Sequence, residues 1–144
     1  MNFNAREIFD IGVQIEANGK AFYEAAAKKT AETATREFFL ELAAWEGTHI
    51  TLFSELRDAL PKGAGNVPLF DPNDEAALYL QATADSHVFV KNRDMVALVA
   101  GCKGPLDILD IAMTFEKDSV VFYTTMKKVV AKNLGQEKVD RLID

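Results

Sequence analysis

A chain of 144 residues, 49% hydrophobic and 26% charged, has the length of one domain and the composition of globular material, with enough apolar mass to bury a sizeable core. Its formal net charge of −6 argues against nucleic acid, which wants a basic stripe, and either keeps the chain soluble or helps draw cations in. The single cysteine, Cys102, excludes an internal disulfide and any four-cysteine zinc or rubredoxin-type iron site. No apolar run approaches membrane-spanning length, and no basic stretch followed by an apolar one opens the chain, so the expectation is a cytoplasmic protein with no membrane partner.

In chain order, Asn4 is placed to cap a first helix, with Glu7 three residues on. Ile8, Ile11, Ile15, Gly19, Phe22 and Ala26 follow at helical spacing, and the helix ends near Lys29. A second helix starts near Thr33 or Thr35. Its stripe is Phe39, Leu42, Glu46, His49, Phe53 and Leu56, and Pro61, Lys62 and Gly63 stop it. Residues 61–104 open with turn material, then offer a short helix over 74–86 and another over 94–102. Gly104 and Pro105 lead into a third long helix that turns Leu106, Leu109, Met113, Phe115, Glu116, Ser119, Phe122, Tyr123 and Met126 inward. Asn133, Leu134 and Gly135 break it, and a shortened fourth helix runs from about Gln136 to Asp144. Long amphipathic helices with short turns spell an all-α four-helix bundle, and the long link between the second and third long helices suggests a crossover.

The first and third helices repeat each other. IEANGKAFYEAAAKK at 15–29 aligns without a gap on FEKDSVVFYTTMKKV at 115–129, pairing Glu16 with Glu116, Phe22 with Phe122, Tyr23 with Tyr123 and Lys28 with Lys128. In each copy a carboxylate sits on the apolar stripe, with a tyrosine two turns further along the same face.

Glu46 and His49 form an E-x-x-H, a spacing that puts both side chains on one helical face. Alone, such a pair is more often a solvated surface pair than a metal site. Here the stripe runs through both residues, and Glu16 and Glu116 sit on inward stripes of their own. Three buried carboxylates would each cost several kcal/mol, roughly, unless paired. A histidine and three carboxylates at mid-bundle height call for positive charge, which bound metal supplies most simply. The remaining candidates read more blandly. His87 fits a surface or loop-packing histidine, Cys102 a small buried hydrophobe, and Trp45 a helix or subunit contact. Glu24 and Glu41 belong to solvated faces, and the lysine pairs 28–29 and 127–128 suit helix C-termini.

One Glu from each of two helices, plus Glu-x-x-His from the others, is the ligand pattern of ferritin-like di-iron carboxylate proteins. On Glu16, Glu46, His49 and Glu116 the chain resembles the rubrerythrin-like branch of that superfamily, across both helical hairpins. The resemblance implies a single ferritin-like domain over 1–144, with those four residues as metal ligands and Tyr23 and Tyr123 as tyrosines bonding the ligating carboxylates. It implies a di-iron cofactor and redox chemistry on peroxide or dioxygen. Manganese suits the same oxygen and imidazole donors, and zinc can occupy them. With one cysteine and no rubredoxin domain, electrons would come from an external donor such as a rubredoxin.

The chain departs from the family in lacking a second Glu-x-x-His. The repeat maps Phe39 onto Val139, Leu42 onto Leu142 and Ala43 onto Ile143. The partners of Glu46 and His49 therefore fall at positions 146 and 149, and the expectation is a C-terminally incomplete domain that holds one ion well and a second poorly. His49 is expected to donate its other ring nitrogen to a carboxylate, with Asp140 the candidate. The short fourth helix leaves an apolar groove, which predicts a homodimer or larger homo-oligomer. Two rival readings stand beside the redox enzyme: a metal-binding or iron-handling bundle without turnover, and a structural bundle with a decayed site.

Overall fold

A computed structural model describes residues 5–59 and 94–134, together with Ala82, His87 and Phe89. Among the described residues the fold is all-helical, with four helices: α1 (Ala5–Lys29), α2 (Thr33–Asp58), α3 (Met95–Ala100) and α4 (Pro105–Leu134). None of them is long and apolar enough to cross a membrane. Asn4, Pro61, the helix expected over 74–86, Asp140 and the fourth long helix from Gln136 lie outside the described residues.

The helix ends follow local chemistry. Helix α2 starts at Thr33, as its sequence predicts, and Glu32 caps it: its carboxylate accepts from the Thr35 N–H at 3.2 Å and from the Thr35 hydroxyl. Asp94 caps α3 by accepting from the Ala97 N–H at 3.0 Å. Pro105 opens α4, where its missing N–H costs nothing, and the Asp107 carboxylate accepts from the Lys103 N–H at 2.9 Å just outside. From the end of α1, the Lys29 ammonium donates to the carbonyls of Val99 (3.0 Å) and Ala100 (3.4 Å), and to that of Cys102. A cation there meets the negative end of α3 and ties it to α1. Lys127 and Lys128, by contrast, lie well before the end of α4.

Helix α1 packs against each of the other three. Its stripe is the centre of the core: Ile8, Ile15, Phe22 and Ala26 are buried against Phe39 and Phe53 of α2 and Ile108, Phe115, Phe122 and Met126 of α4. Two glycines permit the close approach. A Cβ at Gly12 would lie 2.8 Å from the Phe53 ring, and one at Gly19 would lie 2.8 Å from the Phe115 ring. Phe89 completes an aromatic layer, stacked on Phe115 with ring centroids 4.3 Å apart and 5.0 Å from Phe22.

The inward face of α4 is rotated from the expected one. Ile108, Ala112, Phe115, Ser119, Phe122 and Met126 are buried, whereas Leu106 (77%) and Met113 (57%) are exposed, and so is Glu116. A narrow stripe of period 3.6 fits one neighbour; the sequence shows a wide apolar arc, and α1 takes only part of it.

Candidate metal centre

Glu16 lies midway along α1, and Glu46 and His49 lie one turn apart on α2. Because the two helices are antiparallel and share a core, all three side chains meet. Glu16 (2% exposed) and Glu46 (3%) are buried. The His49 Nδ1 stands 3.3 Å from Glu16 Oε2 and 3.8 Å from Glu46 Oε2. One donor atom from each lies within 4.8 Å of the others. The Trp45 indole meets the His49 ring edge-to-face at 5.4 Å, although Trp45 itself is 62% exposed.

The two tyrosines cross between the repeats. Tyr123 of α4 donates its hydroxyl to Glu16 Oε1, while Tyr23 of α1 donates to Glu116 Oε1 at 3.1 Å. Each thus holds the carboxylate of the other copy. Burial, with the charges and hydrogen bonds of these carboxylates, pushes both phenols well above their ordinary value, so both remain donors at neutral pH. Glu116 lines the same cavity as the triad but stands outside it. Although Glu116 is exposed as a residue, partial desolvation of its carboxyl at the cavity edge raises its pKa, opposed by the Tyr23 bond, helped by the Glu16 charge and opposed again by His49. The expected convergence is therefore tight for Glu16, Glu46 and His49 and looser for Glu116.

The cavity measures about 240 Å³ and is walled by Leu52, Phe53, Phe115 and Val120 as well as the polar groups. Two observations test whether these residues suit a metal ion. The first is Glu46 Oε2, which is buried and has no hydrogen-bond partner among the described residues. Such an atom is costly unless something binds it. The second is the donor set. Ion–donor distances of about 2.0–2.3 Å allow donors up to about 4.6 Å apart, and the His49 separations of 3.3 and 3.8 Å fall inside that span. Hard oxygens with one imidazole suit iron, manganese or zinc. The residues fit.

One histidine beside the cavity wall is more deeply buried than its sequence context predicts. His87, expected at the surface or packing a loop, is fully buried. Its Nδ1 accepts from the Phe89 N–H at 3.2 Å and its Nε2 faces Ser119 Oγ at 3.2 Å. Burial lowers its pKa to about 4, against the pull of Asp118. No periodic helical signal surrounds it in the sequence; the alternation of His87 and Phe89 with Val88 and Val90 is the only local cue. Cys102 is buried as expected, and burial raises its thiol pKa.

No protein-family model, curated protein or solved structure matches this chain.

Proposed function

We propose that the cavity between α1, α2 and α4 is a carboxylate–histidine metal centre of the rubrerythrin-like kind, set in a ferritin-like bundle with a crossover between α2 and α4. The observation that carries the reading is the buried Glu46 Oε2 beside Glu16 and His49, which among the described residues has no hydrogen-bond partner. A decayed or merely structural site would have no reason to retain it, since an apolar residue there would be more stable.

Glu16, Glu46 and His49 hold the first ion, and Glu116 reaches in from α4 toward a second. Bound iron would supply one-electron redox chemistry on peroxide or dioxygen, with electrons from an external donor such as a rubredoxin. The chain's own part is positioning. Tyr123 and Tyr23 fix one oxygen each of Glu16 and Glu116, leaving the other for the metal. Trp45 limits rotation of the His49 ring. Leu52, Phe53 and Phe115 hold water away from Glu16 and Glu46, which strengthens the charge interactions of those two carboxylates. A homodimer or larger assembly would cover the open flank beside the centre. A second cavity of about 630 Å³ there is lined by Phe38, Trp45, Leu109 and Met113, and three of these four side chains are exposed.

Two measurements test this. Equilibrium dialysis against Fe(II), Co(II) and Zn(II) should give at least one tight site per chain in wild type and none in His49→Ala; equal stoichiometry in both places the metal elsewhere. Stopped-flow mixing of the ferrous protein with peroxide and with dioxygen then separates an enzyme, which turns over with a donor present, from an iron-handling bundle, which does not.

A further inference from the structure

Beyond the ligands, one buried polar pair stands apart from the helices' own hydrogen bonding: Ser119 on the cavity wall and His87 bonded to it. Ser119 lines the cavity and is 5% exposed. The threonines on the same helix use their hydroxyls on the carbonyl four residues back, Thr114 on Asp110 and Thr125 on Val121. Among the described residues, Ser119 instead contacts His87. The direction of that contact follows from the other side of the imidazole. Nδ1 accepts from the Phe89 N–H, so in the neutral ring the hydrogen is on Nε2, and Nε2 donates to Ser119 Oγ. The Ser119 hydroxyl hydrogen is then left to donate elsewhere. Aromatic rings enclose the histidine, Phe115 at 5.8 Å and Phe89 at 6.4 Å between centroids, and fix its orientation.

We propose that Ser119, oriented by His87, donates a hydrogen bond into the cavity and so positions a small anionic ligand between Glu116 and the Glu16–Glu46–His49 cluster. Three carboxylates line that space and offer only acceptors. A compact anion with lone pairs facing outward, such as azide or hydroperoxide, would meet repulsion from them and needs a donor on the wall. Ser119 is a donor placed there, three residues after Glu116 on α4. His87 is a positioning residue that acts through it. The inference rests on the metal-centre reading, because the anion is held by the ion as well as by the hydroxyl.

The test uses the 144-residue chain loaded with Co(II), whose d–d absorption reports both loading and ligand set, titrated with azide. Ser119→Ala should keep cobalt stoichiometry and weaken azide about tenfold. Ser119→Thr, which retains the hydroxyl, should restore wild-type affinity to within about threefold. His87→Phe should weaken azide about as much as Ser119→Ala, and the double variant no further, since both act through the one Ser119 hydroxyl. Unchanged azide affinity in Ser119→Ala, or failure of Ser119→Thr to restore it, overturns the inference and leaves the metal centre standing. Loss of cobalt in Ser119→Ala also overturns it, assigning Ser119 to the fold or the ligand set. Wild-type protein that takes up no cobalt overturns both readings.

Discussion

Glu16 and Glu116 occupy corresponding positions on α1 and α4, yet Glu16 is almost fully buried and Glu116 is open to solvent. Both accept a tyrosine hydroxyl from the opposite repeat. The difference lies in their neighbours. Helix α1 is surrounded by α2, α3 and α4, and α2 adds Glu46 and His49 beside Glu16. Among the described residues α4 packs chiefly on α1, and its other flank shows Leu106, Met113, Val120 and Val121 to solvent. A sequence repeat can thus reproduce hydrogen-bond partners while leaving burial to whatever packs outside. Metal affinity is expected to follow burial, and so to reside mainly on the α1–α2 side.

The largest effect separates the two sides directly. His49→Ala or Glu46→Ala should weaken the first metal ion at least a thousandfold, about 4 kcal/mol, whereas Glu116→Gln should cost that ion about tenfold or less. Competition titration against a chelator reads all three. Equal losses would make the two sides energetically alike.

Next comes pH. Free histidine titrates near 6.5 and His87 in the fold at about 4. The unfolded chain therefore takes up this proton first as pH falls. Its contribution to stability is complete above about pH 6.5, declines as pH falls toward 4, and is lost below, a change of at most about 3 kcal/mol. His87→Gln should flatten that part of the pH profile in urea unfolding. A slope unaltered by the substitution would assign it to other groups.

Third, Glu46→Met should stabilise the metal-free chain by about 1–3 kcal/mol, because it removes a buried oxygen that has no hydrogen-bond partner among the described residues. Glu116→Met, on the open side, should stay within about 0.5 kcal/mol of wild type. Urea midpoints of the metal-free proteins distinguish them, and destabilisation by Glu46→Met would show that the carboxylate is already satisfied. The smallest contrast is between the tyrosines. Tyr123→Phe strips a hydrogen bond from buried Glu16 and should cost about 1–2 kcal/mol, while Tyr23→Phe leaves Glu116 able to find water and should cost less than about 1 kcal/mol. The reverse order in thermal melts would contradict the burial argument.

Much of this was legible in the residues. The stripes of α1 and α2 emerge where helical spacing puts them, and the cross-bonded tyrosines sit where the repeat sets them relative to their carboxylates. The candidate ligands on α1 and α2 converge because a period of 3.6 places Glu46 and His49 in line with Phe39 and Phe53. Three things were not legible. The capping of α2 by Glu32 depends on one side-chain rotamer. The exposure of Leu106, Met113 and Glu116 depends on which part of a wide apolar arc α1 covers. The burial of His87 depends on contacts with Phe115 and Ser119, distant in sequence, which the apolar residues beside it do not specify.

The brief connection at 30–32 also has a kinetic consequence. Glu16, Glu46 and His49 all lie on the hairpin it closes, so their convergence needs only local loop closure, whereas Tyr123 and Glu116 must arrive from far along the chain. Low contact order favours early formation of the hairpin, and the triad would then exist in the folding transition state before α4 docks. A metal ion that binds there is a φ-value probe. If refolding accelerates as Zn(II) is added, the hairpin precedes α4. If the ion only slows unfolding, the triad waits for α4 to close over it.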